Sequence, residues 1–197
     1  MTDERAIEEL LAKQQIMDAM ARYARGIDRR DEELVRSAYH EDSFDDHGWG
    51  LSAGGWDIAA LVRRDGNGFP DDWKYTQHFL GQHFIEVDGD TASSEVYFRS
   101  TTRVADEEGV DWDMTTDGRY VDQWVRRDGV FRIINRTVVY DAWRTDVVST
   151  PWPGPDHDVA KMAVGGAPID VGATTLGTAG PDDPSYALLA RRASATA

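Results

Sequence analysis

Cysteine is absent from the 197-residue chain, which excludes disulfides, thiolate catalysis and cysteine-based zinc sites. Proline is scarce until late. Pro70 stands alone before residue 151, and Pro151, Pro153, Pro155, Pro168, Pro181 and Pro184 follow. Basic side chains are also in short supply, 21 against 36 acidic ones, for a formal net charge of −15. Phosphate backbones and anionic membranes are bound through clustered Lys and Arg, so this balance argues against nucleic acid or membrane as a partner. No stretch approaches the roughly 18 apolar residues that a membrane-spanning helix needs. The opening MTDERAIEELLAKQQ lacks the basic start and apolar run of a secretory signal, and a cytoplasmic protein is the expectation.

What remains is a chain that is 41% hydrophobic, enough to bury a sizeable core. Residues 1–148 read as one domain. Residues 149–197, rich in Pro, Gly and Ala and without sustained periodicity, read as an extended or partly disordered C-terminal extension. In the domain, Ile7, Leu10, Leu11, Met17, Met20 and Ala24 recur at helical spacing. A second helix is expected after Asp31, a good N-cap, and a third from about Trp56. Beyond Asp72 the period becomes two. Four strands are predicted, ending at Asp88-Gly89-Asp90, near Gly109, at Asp128-Gly129 and near Tyr140. A short strand around residues 44–47 lies between the helices. A curved antiparallel sheet with helices on one face encloses a pocket.

Strand parity sorts the candidate chemistry. His78 and His83 are five apart, so a regular strand sends them to opposite faces. In YHEDSFDDHG, residues 39–48, Asp45 and His47 share a face, and with Asp42 they form a conceivable metal set. A solvated acidic loop is the plainer reading of that segment. Asp28 sits where the first helix ends, five residues after Tyr23. On the last strand Arg136 shares a face with Val138 and Tyr140, and with Ile134. An Arg among apolar neighbours is usually paired or reserved for a ligand. Opposite parity sends Ile133, Val139 and Val121 outward.

RYARGID, YHEDSFDDHG, QHFLGQHFIEVDGDTA and RYVDQWVRRDGVFRIINRTVVYDAW, in this order, resemble the SnoaL-like branch of the NTF2-like superfamily across roughly residues 5–145. The resemblance implies an α+β, NTF2-like cone: three helices packed on a strongly curved antiparallel sheet around a deep pocket. Similar members include dehydratases, a dehydrochlorinase, cyclases and aldehyde lyases, mostly without metal or organic cofactor and often trimeric. Non-catalytic subunits share the fold, so fold alone does not settle function.

Carried over by position, the Asp–His pair of the eliminating members falls on Asp28 and His78. The dehydratase Tyr falls on Tyr23, and the last-strand Arg of the dehydrochlorinase on Arg136. A strand acid and an Arg of the bile-acid dehydratase fall on Ser100 and Tyr140, a departure that argues against the same substrate. The expectation is a cofactor-independent lyase that removes water or an aldehyde from a hydrophobic, hydroxylated aromatic or polycyclic molecule. His78 is the base, Asp28 orients it, and Tyr23 and Arg136 assist. Asp45, His47, Phe98, Ser100, Tyr120, Val138 and Tyr140 are expected to line the pocket. No metal site and a homotrimer are expected. An isomerase or cyclase using the same base, and a non-catalytic binding or assembly subunit, are the alternatives.

Overall fold

A 28-residue helix, α1 (Thr2–Arg29), opens the chain. It packs through Ala12, Ile16, Ala19, Met20, Tyr23, Ala24 and Ile27, all buried. The computed structural model describes residues 2–48, 50–63, 68–70 and 73–148, and, further on, 163–164, 167–168, 177–178, 180, 182–187 and 189. The expected stripe of Ile7, Leu10, Leu11 and Met17 is instead exposed, by 54, 67, 57 and 40%. The helix carries apolar residues on two sides, and the side with the small Ala12 and Ala19 is the one that lies against the sheet.

The end of α1 is set by its backbone. The Asp31 N–H donates to the Gly26 carbonyl at 2.8 Å, and Arg30 turns the chain with φ +53°. That left-handed position normally belongs to glycine. Here the Arg30 guanidinium offsets the strain by donating to the carbonyls of Phe69, Pro70 and Trp73 at 3.1, 3.0 and 3.4 Å. Asp31 then caps α2 (Glu32–Ser37), accepting from the Leu34 N–H at 3.1 Å. Gly26 permits α2 to cross closely, since a Cβ there would lie 2.6 Å from Val35 Cγ2.

After α2 come β1 (Tyr39–Asp46), β2 (Ser52–Gly54) and α3 (Gly55–Ala60), then the long strands β3 (Trp73–Asp88), β4 (Thr91–Ala105), β5 (Asp111–Arg127) and β6 (Val130–Val147). A two-strand ribbon, β7 (Ala163–Val164) and β8 (Ala167–Pro168), lies in the extension. The main sheet runs β2-β1-β6-β5-β4-β3. β1 pairs parallel with β6, and every other neighbouring pair is antiparallel. Asp128 and Gly129, with φ of 52° and 78°, make the tight β5–β6 turn that Asp-Gly announces. Helices against one face of this curled sheet make an α+β cone.

Two bulges overturn parity expectations. In β3, Leu80 faces Phe98 but His83 faces Val96, so Gly81 and Gln82 together oppose Tyr97. The extra residue puts His83 on the same face as His78 rather than the opposite one. In β6, Trp124 faces Ile133 and Gln123 faces Asn135, leaving Ile134 as the bulged residue. Ile133 is therefore fully buried rather than outward, and Ile134 does not share the face of Arg136.

Candidate active site

Inside the cone, between α1, α3 and the concave face of the sheet, is a cavity of about 210 Å³. Its walls are largely apolar and aromatic. Tyr23 and Ile27 come from α1, Phe98 from β4, Tyr120 from β5, and Val138 and Tyr140 from β6. Phe98 and Tyr120 stack at 4.3 Å between ring centroids, and Tyr23 meets Tyr120 edge-on at 5.5 Å. Ser100 and Thr102 add hydroxyls along β4. Phe69 and Trp73, stacked at 4.7 Å, form another part of the wall.

His78 and Asp28 meet at this cavity. The imidazole Nδ1 lies 2.7 Å from Asp28 Oδ1, and the His78 backbone N–H is 3.1 Å from each carboxylate oxygen. Fifty residues apart, the two are joined because the Schellman-type turn after α1 and the Arg30 bonds to the loop before β3 fasten helix end to strand start. Both side chains are well shielded, 8 and 12% exposed. With Nδ1–H donated to the carboxylate, the tautomer is fixed and Nε2 is left as a proton acceptor. The Tyr23 and Phe98 rings flank the imidazole at 6.4 and 6.5 Å.

A second imidazole stands on the cavity wall. His47, just beyond β1, has Nδ1 at 2.5 Å from Asp45 Oδ1 and Nε2 at 3.4 Å from the Tyr23 hydroxyl. Asp45 is completely buried and also accepts a short hydrogen bond from the Tyr39 hydroxyl. Burial pushes the Asp45 carboxyl up, but the bond from His47 and the charges of His47 and Arg136 outweigh it and hold it below the usual range. Burial pushes the Tyr23 phenol well up, the Arg136 charge opposing and the Asp45 charge adding, so Tyr23 stays a protonated donor. Tyr140 donates to the His47 carbonyl at 2.9 Å and so anchors the turn that carries it.

Arg136 does not reach the cavity. Its guanidinium lies 4.2 Å from the ring centroids of both Tyr23 and Tyr120, which cover it. It forms a bidentate pair with the equally buried Asp122, 2.7 Å at each contact, and donates to the Tyr39 hydroxyl at 3.1 Å. The expected leaving-group role is thus corrected to a buried support. Asp45 likewise sits behind His47 rather than on the wall. Tyr23, His47, His78, Phe98, Ser100, Tyr120, Val138 and Tyr140 do line the cavity.

The conceivable metal set does not converge. Asp42 turns outward to Arg127 at 2.6 and 3.1 Å, away from Asp45 and His47. Among the described residues no group of three or more potential ligands comes together. Sequence reasoning missed Thr76, Thr102, Met114 and Thr116, yet they follow by steps of two from His78, Ser100 and Tyr120. It also missed Phe69 and Trp73, for which no periodic signal exists, and Ile58, which lies on the expected third helix but is not among the residues assigned to the wall.

The fold is that of the NTF2-like class. Residues 8–137 match the SnoaL-like domain, and the chain belongs to that family. Among solved structures it is similar to a hexachlorocyclohexane dehydrochlorinase, LinA type 2, at 18% identity and TM-score 0.64, over 77% of this chain and 99% of that one. LinA type 3 from Novosphingobium barchaimii gives 19% and 0.62, over 76 and 99%. A candidate scytalone dehydratase from Novosphingobium aromaticivorans gives 21% and 0.57, over 73 and 91%. No curated protein matches the chain. Among the described residues no helix is long and apolar enough to cross a membrane.

Proposed function

We propose that the protein is a cofactor-independent lyase acting on a hydroxylated aromatic small molecule. The carrying observation is the His78–Asp28 pair on the wall of an aromatic cavity. The membership in the SnoaL-like family and the eliminating enzymes among its fold relatives are consistent with it. In the proposed step Nε2 of His78 takes a proton from carbon, the C–H electron pair becomes the new C=C bond, and the C–O bond on the next carbon breaks. Loss of an aldehyde begins instead with an O–H proton and breaks a C–C bond, its electrons staying on the conjugated fragment. Asp28 holds the imidazole and steadies the cation formed. The cavity of about 210 Å³ is smaller than the roughly 300–1,000 Å³ pockets of drug-sized ligands. That favours one or two rings over a polycyclic substrate.

The test uses a phenyl-bearing β-hydroxy ketone, whose dehydration yields a conjugated enone read by absorbance. His78→Gln and Asp28→Asn are each expected to lower kcat/KM about 10²–10⁴-fold with the fold retained. Because base and orienting acid act as a unit, the double variant should be little worse than either single one. Near-full activity in His78→Gln overturns the reading.

A further inference from the structure

We infer that His47, held by Asp45, is a second catalytic acid–base residue that protonates the departing oxygen while His78 removes the proton. This rests on the lyase reading and assigns the other half of its chemistry. Elimination of water needs a base at carbon and an acid at oxygen, because hydroxide is a poor leaving group. The geometry supplies one imidazole on each of two walls. His78 comes from β3 and His47 from the end of β1, and each has its Nδ1 on a shielded carboxylate. The Tyr23 ring lies beside His78, and its hydroxyl is 3.4 Å from His47 Nε2.

The surroundings separate the two roles. Behind His47 is a closed charged cluster in which Asp122 and Arg136 cancel, leaving the fully buried Asp45 with one negative charge. Tyr39 and Tyr23 contribute neutral hydroxyls, Tyr140 donates to the His47 carbonyl, and the carboxylate of neighbouring Asp46, which accepts from Gly48 and Ser52, also acts on His47. Of the two side chains bonded to Asp45, Tyr39 and His47, it is His47 that reaches the cavity, with its second ring nitrogen turned to the Tyr23 hydroxyl. Its side chain is 18% exposed, and it lines the cavity. The step balances. The Nε2 proton of His47, passed directly or through the Tyr23 hydroxyl, joins the leaving oxygen as the C–O pair departs on it. Water leaves, and the proton gained by His78 restores His47 through solvent.

The test compares two leaving groups in the same ketone framework. The phenyl-bearing β-hydroxy ketone must lose water, whereas a β-(para-nitrophenoxy) ketone loses a stable anion that needs no acid. His47→Gln is expected to lose at least about a hundredfold more rate on the hydroxy ketone than on the nitrophenoxy ketone. His78→Gln should lose rate on both alike. His47→Ala should regain dehydration with added imidazole, a rescue that a structural role does not give. Equal losses on the two ketones in His47→Gln, or no loss on either, overturn the inference. Retention of nitrophenoxide release by His78→Gln instead defeats the lyase base, while the His47 assignment is judged on the ratio between the ketones alone.

Discussion

At the scale of single residues, Arg136 shows how position and role come apart. The sequence places an arginine on an inward strand face among apolar neighbours, and that placement is correct. What it serves is decided by Tyr23 and Tyr120, whose rings lie over the guanidinium, and by Asp122 opposite it on β5. Burial works against the Arg136 charge, and the Asp122 carboxylate outweighs it, so the guanidinium is held charged more firmly than usual. Removing one partner of such a pair leaves the other buried and uncompensated. Arg136→Gln is therefore expected to destabilise the protein by about 3–5 kcal/mol. Arg136→Met combined with Asp122→Leu should recover most of that, because desolvation of both charges is then avoided. Urea unfolding of the three chains tests this; an Arg136→Gln midpoint equal to the parent's would show the pair to be dispensable. His78 and Asp28 were legible for a different reason. The family resemblance carried that pair, since no local period joins a helix end to a strand start fifty residues on, and the tyrosine cover over Arg136 is likewise a tertiary arrangement.

At the scale of elements, the helices and strands follow from period and turn residues, and the errors lie where one extra residue shifts a strand. Neither Gly81-Gln82 nor Ile134 announces a bulge, because the flanking residues read equally well in either parity. The result is a face exchange for His83 and Ile133. Glycine matters where two elements meet at the cavity. Gly118 on β5 lies beneath the Phe98 ring: a Cβ there would be 2.8 Å from Phe98 Cζ and 2.4 Å from the Val139 carbonyl oxygen. The ring can swing away, but the backbone oxygen cannot move freely. Gly118→Ala should cost about 1–3 kcal/mol, as overpacking does. It should also disturb the Phe98–Tyr120 stack and so raise KM more than it lowers kcat. A variant with unchanged stability and unchanged KM would refute this account of the cavity wall.

At the scale of the whole molecule, surfaces and the extension were the least legible. The outer sheet face leaves Phe79 and Phe84 exposed by 73 and 64%, Trp143 at the far end of β6 shares the face of Thr116 and is 65% exposed, and Ile7 and Leu10 of α1 are uncovered. Apolar area of that kind ordinarily has a partner, and light scattering at three chain masses is the outcome expected from the homotrimer reading. From the sequence, Trp143, Trp152 and the proline-rich stretch up to Pro155 are expected to lie across a neighbour, and Trp152 and that stretch fall outside the described residues. A later part of the extension, though, lies on its own chain. Tyr186 donates to Asp31 at 3.0 Å and receives Arg25 over its ring at 4.6 Å. Arg25 also donates to Ser185 at 3.2 Å. Asp183, 4% exposed, accepts from the Thr178 and Ser185 N–H groups at 2.9 and 3.0 Å and lies 3.4 Å from Arg29. Composition alone cannot announce such docking, because a few polar contacts decide it rather than an apolar period. Burial pushes the Asp183 carboxyl up, but the bonds from Ser185 and Thr178 and the Arg29 charge outweigh it and bring its pKa to about 2. A carboxylate depressed in the folded state stabilises it above the unfolded value of about 3.9 and loses that contribution as pH falls toward the folded value. Asp183→Asn should therefore lower the thermal midpoint at pH 6, and the gap to the parent should close between about pH 4 and pH 2. A gap that stays constant down to pH 2 would mean that the carboxylate charge does not hold the segment against α1.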